Sequence, residues 1–141
     1  MKAYLHTQSG LLIVNAMLAL SVIFAALGLF VLKALFVVVP LLLLTGWVFH
    51  SLTIEIGDGE LRWWFGAGLV RKRVAVAEVV AARVVRTNSL EGWGIHWSRF
   101  GWLYNVSGYD AVAITLRNGK TFALGTDQPV ALAAAINESL R

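Results

Sequence analysis

The chain has 141 residues, of which 58% are hydrophobic and 14% charged, against roughly 25% charged in ordinary soluble domains. The net charge is +4, yet ten basic residues and all eight acidic ones lie after residue 50, so that part lacks the strong basic stripe of a nucleic-acid-binding domain. There is no cysteine, which excludes disulfides and thiolate metal sites and fits a reducing compartment.

The charges are unevenly placed. Between Leu11 and Phe49 the only charge is Lys33. Residues 11–32 form an uncharged run long enough to cross the roughly 30 Å hydrocarbon core as a helix at about 1.5 Å per residue. Residues 34–50 are shorter but can reach the interface. One continuous helix would bury Lys33 at mid-membrane, at a cost of at least a few kcal/mol. Two antiparallel spans put Lys33 at the turn, where its ammonium reaches water. The reading is therefore a transmembrane helical hairpin in residues 1–50, with spans at about 11–32 and 34–50. The apolar run exceeds the roughly 7–15 residues of a signal-peptide core. Lys2 and Arg71 to Arg73 lie on one side of that hairpin and Lys33 on the other, so the positive-inside rule puts the C-terminal domain in the cytoplasm. Tyr4, Trp47 and Phe49 are candidate interfacial anchors. Asn15, Ser21, Pro40 and Thr45 interrupt the spans, but none is ionisable, so no ion pathway is expected.

After residue 50 the apolar period becomes two. Leu52, Ile54 and Ile56 alternate with Thr53 and Glu55, and Asp58-Gly59 is a turn signal. Leu61, Trp63 and Phe65 alternate with Arg62 and Trp64, and Gly66-Ala67-Gly68 makes the next turn. Val70, Lys72, Val74 and Val76 alternate with Arg71, Arg73 and Ala75. Val80, Ala82 and Val84 oppose Ala81, Arg83 and Val85. Val112, Ile114 and Leu116 precede the Asn118-Gly119 turn, and Phe122 and Leu124 follow it. One buried face per strand is the antiparallel pattern. Thr126, Asp127 and Gln128 offer caps and Pro129 suits a first turn. A helix over about 127–141 then carries the apolar stripe Pro129, Leu132, Ala133, Ile136 and Leu140. Residues 51–141 thus read as a mainly-β barrel or sandwich with one C-terminal α-helix.

The stretches Gly92-Trp93-Gly94-Ile95 and Gly101-Trp102-Leu103-Tyr104-Asn105-Val106-Ser107-Gly108 resemble bacterial pleckstrin-homology-like (PH-like) domains. So do the following strand, the Asn118-Gly119 hairpin, the Gly125-Thr126-Asp127-Gln128-Pro129 turn and the final helix. The resemblance covers about residues 52–141, and many members of that wider group carry N-terminal membrane spans. It implies a barrel-like pair of antiparallel sheets capped by the helix, a multi-pass protein of the bacterial inner membrane, and no enzymatic activity.

The residues themselves offer no catalytic constellation. His6 and His50 flank the apolar runs. His96 and Ser98 would share a strand face, but no acid or oxyanion signal accompanies them. The dispersed histidines give no zinc pattern. The glycine pairs around Asp58 and Ala67 complete no phosphate-binding fingerprint. No catalytic, metal or cofactor site is expected. The aromatic segment from Trp93 to Tyr109 is either packed beneath a loop or part of a binding surface. Arg62 and Trp64 share the outward face of one strand, and Arg71 and Arg73 share a face of the next. These four residues are the candidate contact for anionic lipid headgroups of the bilayer or for a membrane-protein partner, including a second copy in a homo-oligomer. Nucleic acid is not an expected partner. The competing readings are a structural subunit of a larger membrane complex and an enzyme with an unrecognised site. A solvated basic edge that discourages strand aggregation is the plainer account of the arginines.

Overall fold

The computed structural model describes residues 2–141. Its strands form two sheets. The first has four strands in the order β1 (Lys2–Ser9), β2 (Ser51–Gly57), β3 (Glu60–Phe65) and β4 (Val70–Ala75), all antiparallel. The second has five, in the order β5 (Val79–Arg86), β8 (Asp110–Leu116), β9 (Thr121–Gly125), β7 (Gly101–Asn105) and β6 (Gly94–Ser98). Between β1 and β2 the chain makes two apolar helices, α1 (Leu11–Phe30) and α2 (Val38–Val48), joined through a 3-10 turn over Lys33–Val37. Helix α3 (Pro129–Ser139) ends the fold.

The helices run antiparallel. Their feet meet where Gly10 N–H donates to the His50 carbonyl at 2.7 Å. A Cβ at Gly10 would collide with the backbone of Phe49 and His50 there, which is why a glycine stands at that junction. Ile13, Ser21 and Gly28 are the buried residues of α1, and Gly46 is the buried one of α2. Gly28 lies against the Phe36 ring and Gly46 against Met17, a small-residue seam that lets the two backbones approach. Ser21 and Thr45 donate to the carbonyls of Met17 and Leu41 one turn back, so neither seeks a partner outside its own helix. Lys33 begins the 3-10 turn, close to where the charge argument put it. Pro40 falls in the first turn of α2, where its missing N–H costs nothing. Among the described residues α1 alone is long and apolar enough to cross a membrane.

Residues 2–9, grouped with the apolar segment on sequence, pair along the length of β2. Tyr4 accordingly packs on the core and is no interfacial anchor; its ladder partner is Ile56. Phe49 turns inward as well, edge-on to Phe65 with ring centroids 4.9 Å apart. Trp47 stays exposed.

The core lies between the sheets. Leu52, Ile54, Ile56, Leu61, Trp63 and Phe65 from the first form one cluster with Val112, Ile114, Phe122 and Leu124 from the second. α3 closes it with Leu132, Ala133 and Ile136, the stripe read from the sequence. Asn137 pins this helix to β5: its amide donates to the Ala82 carbonyl at 2.9 Å and accepts from the Ala82 N–H at 3.1 Å. The wholly antiparallel expectation fails at one place. β9 pairs antiparallel with β8 but parallel with β7. The reason is that β7 and β8, joined by residues 106–109, are not ladder neighbours: β9, returning from β8, inserts between them and so runs parallel with β7.

Candidate functional site

The β3–β4 hairpin gathers the four sequence candidates on one face. Its register sets Arg62 opposite Arg73 and Trp64 opposite Arg71. The Arg71 guanidinium carbon stands 5.9 Å from the centre of the Trp64 ring, a cation–π approach. Arg71 Nε also donates to the Gly68 carbonyl at 3.0 Å, which folds the side chain back over the turn. These side chains, with Glu55 and Lys72, line an open groove of about 670 Å³.

Two acidic residues temper the charge, and neither was among the sequence candidates. Glu60 Oε2 accepts from Arg62 Nε at 2.7 Å, and its Oε1 accepts from Arg73 Nη1 at 3.3 Å. Glu55 lies beneath, buried on β2, with an oxygen 3.9 Å from Arg62 Nη1. The bond to Glu60, more than the nearby carboxylate charges, raises the Arg62 pKa, so this guanidinium is permanently charged but already engaged. The groove therefore has two ends. Arg62 and Arg73 share a carboxylate at one, and Arg71 with Trp64 forms the other. Period two could have found Glu60, since it precedes Arg62 by two residues and so shares its strand face.

The hairpin stands at the foot of the apolar helices. Gly66 N–H donates to the Ser51 carbonyl at 3.0 Å, directly after α2 ends. Gly66 has φ +48 and no room for a Cβ, which would meet the Val48 carbonyl and the His50 ring. Leu69, in the turn, is exposed. Trp64 pairs with Thr53, two residues past Ser51, or about 7 Å along the strand at about 3.3 Å per residue. Arg62 pairs with Glu55, two residues further still.

Elsewhere the chemistry is sparse. Ser98 Oγ donates to the Gly101 carbonyl at 2.9 Å and accepts from Phe100 N–H at 3.1 Å, bracing the β6–β7 turn. The His96 Nε2 is buried with no hydrogen-bond partner. His6 instead meets Asp127, Nε2 to Oδ1 at 2.5 Å, on an exposed edge far in sequence. No group of three or more metal-ligating side chains occurs among the described residues. Comparison with protein-family models, with characterised proteins and with solved structures gives no match.

Proposed function

We propose that this chain is a non-enzymatic membrane protein of two spans, α1 and the segment containing α2, in the bacterial inner membrane. Its β domain, of PH-like fold, stands on the cytoplasmic face and contacts anionic headgroups through Trp64 and Arg71, with Arg62 and Arg73 one repeat further out and attracted by the surface potential. The observation that carries this reading is the position of the β3–β4 hairpin, with its cations and Trp64, at the foot of the apolar helices. Headgroups occupy roughly 5–7 Å on each side of the hydrocarbon core. Trp64 and Arg71 lie at about that distance from the helix feet if the strands stand upright, and a tryptophan beside a guanidinium suits such a layer.

Two further features support the spans. The helices leave apolar side chains bare, among them Val22 at 70%, Leu29 at 68% and Phe30 at 86% exposure. An apolar surface so extensive marks a lipid or partner contact. The segment from Lys33 to Val48, counting the 3-10 turn at about 2.0 Å per residue and α2 at about 1.5 Å, rises some 26 Å, close to the core thickness. Support for the PH-like fold comes from two packed sheets closed by a C-terminal helix.

The test is hydrogen exchange on the full chain in lipid nanodiscs. Residues 62–73 are expected to exchange more slowly in anionic than in neutral nanodiscs. High salt, or Arg71→Ala with Arg73→Ala, is expected to abolish the difference. Exchange rates that are equal in the two lipids would overturn the headgroup assignment and favour a protein partner.

A further inference from the structure

We propose that the β6–β7 hairpin is a second membrane contact, with Trp97 and Trp102 seated in the bilayer interface beside α1. This rests on the two-span reading above. Residues 94–105 carry one charge, Arg99, yet Trp97 is 70% and Trp102 is 48% exposed. They are ladder partners, packed edge-on with ring centroids 5.7 Å apart. Two tryptophans bared together, one on the edge strand β6 and one on its neighbour β7, are costly in water, and they are the residues a membrane interface favours.

Their direction comes from the strand. Ile95 and Trp97 share a face because strand side chains repeat every two residues. Ile95 lines a cleft of about 380 Å³ with Leu12 and Ala16 of α1 and with Thr45 and Phe49 at the end of α2. Leu12 and Ala16 lie within the first two turns of α1, at most about 10 Å from its foot. The inner face of the second sheet, at its β6 edge, thus turns toward the part of α1 that meets the interface. Trp97 is one repeat, about 7 Å, beyond Ile95 on that face, and Trp102 stands across from it. Arg99 does not interrupt the aromatic face: its guanidinium bonds the Arg86 carbonyl at 2.5 Å, pairs with Glu91 at 3.3 Å and covers Phe100. The surface that remains is aromatic and uncharged and adjoins, through Ile95, the cleft at the foot of the apolar helices, and the bilayer they cross is its proposed cover.

The natural absence of cysteine allows single-site labelling of the full chain. Trp97→Cys carries an environment-sensitive fluorophore in nanodiscs. Leu20→Cys, midway along α1, and Lys120→Cys, at the β8–β9 turn, serve as the deep and aqueous references. Trp102→Cys replaces the Trp97 site if that variant fails to fold. The label at 97 is expected to be quenched by nitroxides at headgroup depth and to be severalfold less sensitive to iodide than the label at 120. Iodide sensitivity at 97 equal to that at 120, with position 20 quenched by deep nitroxides, would overturn this contact and leave the spans intact. Iodide access at position 20 as well would overturn both.

Discussion

Glu60 sits between the two arginines that the ladder places face to face, and it decides how much of their charge reaches outward. Replacing the carboxylate by an amide keeps the shape and adds one positive charge to the groove. A basic side chain near an anionic surface gains about 1 kcal/mol. Glu60→Gln is therefore expected to slow exchange of residues 62–73 at a lower anionic lipid content than the parent requires. An unchanged lipid dependence would mean that Arg62 and Arg73 serve only the fold. His96 offers a second test. Burial lowers its pKa below 6.5, outweighing the opposite pull of Glu91. The folded protein thus resists a proton that the unfolded chain accepts. Stability is complete above pH 6.5 and falls as the pH drops from there through the lowered folded value. His96→Gln is expected to lose less of its melting temperature between neutral and mildly acidic pH than the parent does. Because His6 and His50 remain in both proteins, the difference isolates position 96; identical pH profiles would show that His96 titrates normally.

At the scale of elements, what could be read from sequence followed locality. The β3–β4 hairpin was legible because Asp58-Gly59 and Gly66 to Gly68 punctuate clean alternation, which also puts Arg62 with Trp64, and Arg71 with Arg73, on one face of their strands; the ladder adds that the two sets lie side by side. The α3 stripe was legible too, because Leu132, Ala133, Ile136 and Leu140 recur at helical spacing after Pro129. β1 was not. Its residues mix polar and apolar on both faces, Tyr4 with His6 and Gln8 on one and Leu5 with Thr7 and Ser9 on the other, and its partner β2 begins only after the two helices. The aromatic segment misled differently. Its glycines and tryptophans break the period, and the parallel ladder between β7 and β9 is a non-local pairing that no turn announces. The role of Asn137 was hidden too, since its two bonds to Ala82 cross 55 residues. Leaving those part-buried backbone groups unpaired costs about 1–3 kcal/mol each. Asn137→Ala is expected to lower the midpoint of the β domain's melt clearly, and Asn137→Asp to lower it too, because a carboxylate can accept from the Ala82 N–H but repels the carbonyl. A parent-like melt for both would remove the clamp from the account of how α3 is held.

At the scale of the molecule, the decisive relation is that β1 and β2 are ladder neighbours while the apolar helices lie between them. A strand cannot pair with one across a bilayer, so if α1 crosses, the chain must return before Ser51. This demands an even number of crossings and joins residues 2–9 to the β domain on one side. It also makes removal of α1 as a signal sequence destructive, since β1 would leave with it and β2 would become an open edge. The proposed cytoplasmic side rests on charge. Arg71, Lys72 and Arg73 stand with the domain, whereas Lys33 alone lies at the far turn, and basic residues favour the cytoplasm. A reporter active only in the cytoplasm is therefore expected to work when fused after Arg141 and when fused before Met1, and alkaline carbonate is expected to leave the protein in the membrane pellet. Periplasmic activity at both ends would keep the two spans and reverse their orientation. Opposite sides for the two ends would mean that α2 does not cross and that the β1–β2 ladder does not form in the membrane-inserted chain.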